Sequence, residues 1–204
     1  MYDVLLIGGG VSGMSCALVL GSAQNKLFVQ GRKIGIFTHQ KASSLQEALF
    51  NNAYGIRSGT LGSDLLHQSV EHLHNLYPHI QQIADEKVLN ITSIEGGYQV
   101  ETNKNYYESK SIVVAIGASS PFAIAGLEAY VIPHQKSVPE KNRIQLKNTD
   151  HKVAEGLYVA GTLAGWPSQL AIASGSGAAV ATDLLTMWNG GVPVQVHDSI
   201  RMKG

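Results

Sequence analysis

The sequence predicts a three-layer α/β fold: a parallel sheet between packed layers, with a small antiparallel β-meander added. Three observations predict it. "YDVLLIGGG" (residues 2–10) is a short continuous apolar run stopped by glycines, the pattern of a strand buried on both faces. Small and apolar residues follow over 12–22, then a second short apolar run, "KIGIFTH" (33–39), so residues 1–39 read as a β-α-β unit. Two later apolar runs, "SIVVAIGAS" (111–119) and "GLYVAG" (156–161), supply further core strands, and a small-residue helix over 168–187 follows the second.

The remaining elements follow in order. The polar stretch "SAQNKLFVQGRK" (22–33) is a longer helix-to-strand connection than usual, and "LFV" within it is the alternative second strand. Residues 40–60 are irregular. "SDLLHQSVEHLHNLY" (63–77) places Leu65, Leu66, Val70, Leu73 and Leu76 at helical spacing, with Ser63 as a plausible N-cap. His67, His72 and His74 lie on or beside its polar face. The five-residue step from His67 to His72 is not i,i+4, so a solvated face is favoured over a metal site. "KVLNITSI", "GYQVET" and "YYESKSIVVAIG" read as strands joined by the turns "EGG" and "NKN". A short strand is expected at "RIQL" (143–146). One domain over 1–188 and a tail over 189–204 result.

Bulk properties narrow the function. With 204 residues the chain can bury a real core, and 44% apolar against 15% charged residues is a globular composition. Fifteen basic and fifteen acidic residues cancel, so bulk charge draws the chain to neither nucleic acid nor an anionic membrane. The single cysteine, Cys16, excludes an internal disulfide, a Cys-x-x-Cys pair and a cysteine-based metal site. It stands among small residues of the first helix and reads as a buried core residue. No apolar run of membrane-spanning length is expected, and a strand starting at the second residue leaves no room for a signal peptide. The expected location is the cytoplasm.

The strongest motif is Gly8-Gly9-Gly10-Val11-Ser12-Gly13, a G-x-G-x-x-G between a strand and a helix. Gly8 permits the tight turn, Gly10 lets backbone approach a pyrophosphate, and Gly13 lets helix and strand pack closely. The helix N-terminus then offers N–H groups to phosphates. This frame makes the domain Rossmann-like and dinucleotide-binding. The acid that normally binds the ribose hydroxyls at the end of the second strand is missing: Thr38-His39-Gln40 stands there. Thr38 offers a hydroxyl, a weaker partner than a carboxylate. His39 is either a phosphate or adenine contact or an exposed loop histidine.

Three segments in order, "DVLLIGGGVSG", "VVAIGAS" and "EGLYVAGTLAG...SQLAIASGSGAA", resemble the FAD domain of the thioredoxin reductase-like flavoproteins, within the pyridine nucleotide-disulfide oxidoreductases. In that family the middle strand ends Ala-Thr-Gly, the last ends Ala-Gly-Asp, and a Gln opens the final helix beneath the flavin. The matching positions are Ala115-Ile116-Gly117, Ala160-Gly161-Thr162 and Gln169. "FNNAYG" is similar to the family's Glu-Asn-x-x-Gly segment, with Asn52 on the Asn, and Ile91 falls where an apolar residue lies beside the adenine. The resemblance implies FAD, with Gln169 and the N–H groups of Leu170 and Ala171 at the flavin end. Helix dipoles suit the negative charge of reduced flavin there.

The resemblance has two gaps. The family's NAD(P)H domain lies between the middle motif and the last strand, and here the stretch from Pro121 to Glu155 is too short for one. The redox-active Cys-x-x-Cys of that domain is missing too. FAD binding is implied, thioredoxin reduction is not. Trp166-Pro167, before the last helix, suits covering the flavin, shaping a pocket, a dimer contact or a surface ring. Tyr106-x-x-x-Lys110 matches the catalytic pair of short-chain dehydrogenases, but it precedes an apolar strand and reads as part of the meander.

The expected function is a small FAD-binding oxidoreductase that takes electrons from a separate reductase or electron carrier, with a homodimer as one arrangement. The alternatives are a non-catalytic flavin-binding or sensing module, and an NAD(P)-binding dehydrogenase.

Overall fold

The structure is a computed structural model that describes residues 1–39 and 43–197. Its strands are β1 (Tyr2–Ile7), β2 (Ile34–Phe37), β3 (Leu49–Phe50), β4 (Thr60–Leu61), β5 (Gln81–Ile83), β6 (Val88–Ile94), β7 (Gly97–Thr102), β8 (Tyr106–Val114), β9 (Val131–Pro133), β10 (Ile144–Leu146), β11 (Lys152–Ala154) and β12 (Leu157–Val159). The helices are α1 (Val11–Ser22), α2 (Gly62–Leu76) and α3 (Leu170–Trp188).

β1 runs through the middle of the main sheet and sets both faces of the core. Strand side chains alternate between faces. Val4 and Leu6 join one buried cluster with Met14, Ala17 and Leu20 of α1, Leu73 of α2 and Val180 and Leu184 of α3. Leu5 and Ile7 join a second cluster with Ile91 and Val100 of the meander and with Leu127, Leu146 and Leu163. The three layers are therefore helices, parallel sheet and meander. All three helices pack on one face, and the β6-β7-β8 meander, with the segments around β9 and β10, covers the other.

The parallel part of the sheet has the order β5-β2-β1-β8-β12, and β11 pairs antiparallel with β12 at the outer edge. β1 has β2 on one side and β8 on the other, with Val4 opposite Ile34 and Ser111. The chain order reverses there, so a crevice opens beyond the carboxyl ends of the strands. β8 serves both parts of the sheet. Its first half pairs antiparallel with β7, from Tyr106 opposite Glu101 to Ser109 opposite Tyr98. Its second half lies parallel between β1 and β12. Tyr106 and Lys110 stand on this strand rather than on a helix, as the meander reading requires.

Several expectations need correction. "LFV" is not a strand: Leu27 is 85% exposed within a series of turns, while Val29 is buried in the helix-side core. Ser63 does not cap α2. The helix starts one residue earlier, at Gly62, after Leu61, and the Gly62 N–H is bonded to the Ala48 carbonyl at 2.8 Å. The last helix starts at Leu170 rather than Ser168. The stretch read as irregular carries the β3/β4 hairpin, Leu49–Phe50 paired with Thr60–Leu61. At 19 residues α3 is long and apolar enough for a membrane span, against expectation, because its Gly, Ser and Thr residues barely dilute its apolar ones. It packs along α1 and buries Val180, Ala181, Leu184 and Leu185 in the core.

Candidate functional site

The carboxyl ends of β1, β8 and β12 meet at the N-terminus of α1. The chain leaves β1 through Gly8 at φ +117°, and a Cβ there would lie 2.5 Å from the Ala115 carbonyl oxygen. Ala115 donates its N–H to Ile7 O at 2.8 Å, which fixes the two strand ends side by side. A Cβ on Gly13 would collide with the Gly8 carbonyl, so the helix can approach the strand end only without one. Gly10 is different. It caps α1 at φ −78° and ψ −172°, a backbone shape open to any residue, and a Cβ on it would meet no atom within 4 Å. Among the described residues no side-chain cap bond is made at the Gly10 N-cap, and no acid stands in the first turn of the helix. The first N–H groups of α1, at Val11, Ser12 and Gly13, lack intrahelical partners and carry the positive end of the helix dipole. They adjoin the open space at Gly10.

The other expected residues fall at neighbouring strand ends. Gly117 follows β8 at φ +85°, and it too has open space where a side chain would be. Thr38 follows β2 and is held by its N–H to Ile83 O at 3.0 Å, and His39 beside it is exposed. Gln40 lies outside the described residues. Asn52 is exposed in the β3/β4 loop, and its neighbour Asn51 shapes that loop by accepting from Ser58 Oγ and the Gly59 N–H, both at 2.9 Å. Ile91 is 1% exposed, so its side chain belongs to the meander-side core.

At the far end, Gly161 leaves β12 at φ +74°, and a Cβ on it would collide with Ser12 Oγ of α1. Thr162 follows, half-buried. Gln169 is the N-cap residue of α3 and is exposed, with no side-chain cap bond. Leu170 and Ala171 open that helix, so their N–H groups are without intrahelical partners.

Two histidines that the sequence did not single out hold this end. His134, buried after β9, places Nε2 3.0 Å from the Thr162 carbonyl. The Lys136 N–H points at His134 Nδ1 at 3.2 Å. A backbone N–H only donates, so Nδ1 accepts and Nε2–H donates to Thr162 O. His151 is also buried. Its Nε2 lies 2.9 Å from Ser176 Oγ and 3.2 Å from Trp166 Nε1, and Ser176 Oγ accepts the Gly161 N–H at 2.8 Å. Burial holds His151 below the ordinary histidine range, against the opposite pull of Asp183 and Asp150. Trp166 is thus a surface ring, 40% exposed, tethered at its N–H edge and stacked on His151 at 6.1 Å, with Lys136 Nζ 4.4 Å from its centroid. Neither histidine stands in a motif, and their partners lie 28 and 25 residues away.

The geometry fits a dinucleotide. The open space at Gly10 beside an uncapped helix N-terminus is where a phosphate pair can approach backbone. Gly117, at the end of β8, adds a second open position beside Gly10, while Gly8 and Gly161 are packed against Ala115 and Ser12. Two shallow hollows lie at the opposite end of the sheet, around Tyr2 and Lys33 and around Arg32 and Trp188, away from this chemistry. Among the described residues no group of three or more His, Cys, Asp or Glu side chains is placed to hold a metal ion.

Comparison with known proteins bears on the family and the fold. The ferredoxin--NADP reductase of Streptococcus pyogenes serotype M28 (strain MGAS6180) is 28% identical over 118 residues, 57% of this chain and 34% of that protein. The chain thus spans about a third of the length of this curated relative. A thioredoxin reductase from Gloeobacter violaceus has a similar structure, with a TM-score of 0.74 at 12% identity, covering 98% of this chain and 99% of that one. A ferredoxin-flavin thioredoxin reductase from Clostridium acetobutylicum gives 0.68 at 18%, covering 93% and 98%. These structures share the fold that the sequence resemblance implies. A family model described as pyridine nucleotide-disulphide oxidoreductase matches residues 2–177, and the chain belongs to that family.

Proposed function

We propose that the chain binds FAD along the carboxyl ends of β1, β8 and β12 and acts as an oxidoreductase that exchanges electrons with a separate donor. The observation that carries this reading is the open space at Gly10, where a side chain would meet nothing, at the mouth of an uncapped helix. Gly8, Gly10, Val11, Ser12 and Gly13 hold the pyrophosphate. Thr38 faces the adenosine ribose, the exposed His39 beside it is a phosphate or adenine contact, Ala115 and Gly117 flank the middle of the ligand, and Gly161 and Thr162 face the ribitol. Gln169, Leu170 and Ala171 present donors to the pyrimidine edge. Asn52 and Ile91 stand nearest the flavin and the adenine by the family resemblance.

Bound FAD supplies hydride or single-electron transfer. The protein's part is to orient it, to stabilise charge at its pyrimidine edge through the α3 N-terminus, and to limit water on one side. Residues 115–156, between β8 and β12, hold only short strands, turns and loops, which supports electrons arriving from outside this chain. The names of the similar proteins, one a ferredoxin--NADP reductase and one a ferredoxin-flavin thioredoxin reductase, support an electron carrier as that source.

Purified protein tests the reading. It should be yellow, or become so on adding FAD, and NAD(P)H alone should bleach it slowly compared with a reduced ferredoxin-type carrier under anaerobic conditions. Protein that neither retains nor takes up flavin overturns the proposal. Bound flavin that no donor reduces moves the reading to a sensing module.

A further inference from the structure

The hydrogen bonds around His151 fix its protonation. An indole N–H can only donate, so Trp166 Nε1–H, 3.2 Å away, requires His151 Nε2 to be an acceptor. Ser176 Oγ accepts the Gly161 N–H and lies 2.9 Å from the same Nε2, so with Nε2 unprotonated its own proton shares the one in-plane lone pair with the indole N–H. His151 is then neutral, with its proton on Nδ1. Adding a proton at Nε2 sets N–H against N–H at Trp166. Ser176 can rotate and accept from both sides. Trp166 has no such alternative.

We propose that His151 is a proton-operated latch on the loop of residues 161–169: its neutral ring holds Trp166 down, and its protonation releases the indole while Ser176 keeps Gly161. The charged groups facing the ring support closure at neutral pH. Asp183 of α3 and the adjacent Asp150 favour the cation. Burial opposes it more strongly, and Lys136, 4.4 Å from the indole centroid, adds a like charge across that ring. Lys152 is engaged by Glu155 at 2.6 Å. The loop carries Thr162 and leads to Gln169, so opening it loosens the flavin end of the site. That last consequence rests on the FAD reading, whereas the latch itself needs no cofactor.

The test uses the full chain without added flavin. Trp188→Phe leaves Trp166 as the reporter, since the sequence has two tryptophans. The His151 ring is followed by nitrogen-15 NMR from about pH 8 to about pH 5. At the alkaline end Nε2 should show the unprotonated shift. On acidification, tryptophan emission should move to longer wavelength with the midpoint of the His151 ring, below 6.5. Trp166→Phe removes a hydrogen bond to the neutral ring and should raise the His151 midpoint by about one pH unit. His151→Asn, which suits the φ of +70° at this position, should abolish the emission step.

An indole emission that stays constant while the ring titrates overturns the latch, and so does a His151 midpoint that Trp166→Phe leaves in place. Should His151→Asn or Trp188→Phe fail to fold, the midpoint comparison between the unmodified chain and Trp166→Phe decides alone. If FAD binds, its release should follow the same midpoint. If it does not bind, the emission and NMR results still stand.

Discussion

Gly177 of α3 lies so close over Ser12 of α1 that a Cβ on the glycine would collide with the serine carbonyl. The two helices meet at the point where α1 begins, directly behind the open space at Gly10. The approach therefore fixes the position of the α1 N-terminus as well as the core.

Gly177→Ala should destabilise the fold by about 1–3 kcal/mol through overpacking, or about 2–4 °C in Tm for each kcal/mol. Gly175→Ala, two residues away where a Cβ meets nothing, should instead stabilise by up to about 1 kcal/mol from helix propensity. Thermal melts of the two variants check this, and equal behaviour would remove the close helix approach from the account.

Gly10→Leu separates binding from folding. The backbone there suits any residue and the space is open, so melting of the flavin-free chain should change by no more than about 0.5 kcal/mol. FAD retention after gel filtration should be lost. A Gly10→Leu protein that stays as yellow as the parent would move the pyrophosphate elsewhere.

Thr162→Asp restores the carboxylate that the family resemblance places at the end of the last strand. A charged acceptor is about twice as strong as a neutral one, and FAD affinity should rise about tenfold, equivalent to about 1.4 kcal/mol. Titration of flavin fluorescence measures it. An unchanged Kd would mean that Thr162 does not face the ribitol.

Glu86 anchors the meander. Its buried carboxylate accepts from Thr102 Oγ1 at 2.6 Å, Tyr107 OH at 2.8 Å and Asn105 Nδ2 at 2.9 Å. Burial alone would raise its pKa, but these bonds and Lys104 hold it below the ordinary 4.5. A carboxylate with a depressed folded pKa adds stability above its unfolded value, and that stability is lost as pH falls through the folded one. Glu86→Gln should cost about 2 kcal/mol at neutral pH, and the gap from the parent should shrink below about pH 4.5. Urea melts across that range give the comparison. Parallel curves would place the acid stability elsewhere.

Much of the fold could be read because its signals are local. The glycine turn at Gly8–Gly13, the apolar β8 and β12 cores and the 88–114 meander each carry their own period or turn residues. β5 could not be read that way. "QQI" has no strand period and exists because Gly35, Ile36 and Phe37 of β2 offer a free edge, while the Tyr2 hydroxyl bonds Gln81 at 2.6 Å. The same limit applies at the site. The motif glycines were legible, but the His134 and His151 contacts depend on the return of β9, β10 and β11, which no short window records. Trp166 was legible as a bulky loop residue, but not as a ring stacked on an imidazole.

β8 belongs to the meander with its first half and to the parallel sheet with its second. One continuous strand carries the hydrogen bonds of both, so melting of either leaves an end of β8 unpaired beside the other. The chain should therefore behave as one cooperative folding unit, with its slowest-exchanging amides at Ile112–Val114, where β8 runs fully buried between β1 and β12. Those amides end at Ala115, so the most protected part of the molecule leads directly into the crevice wall.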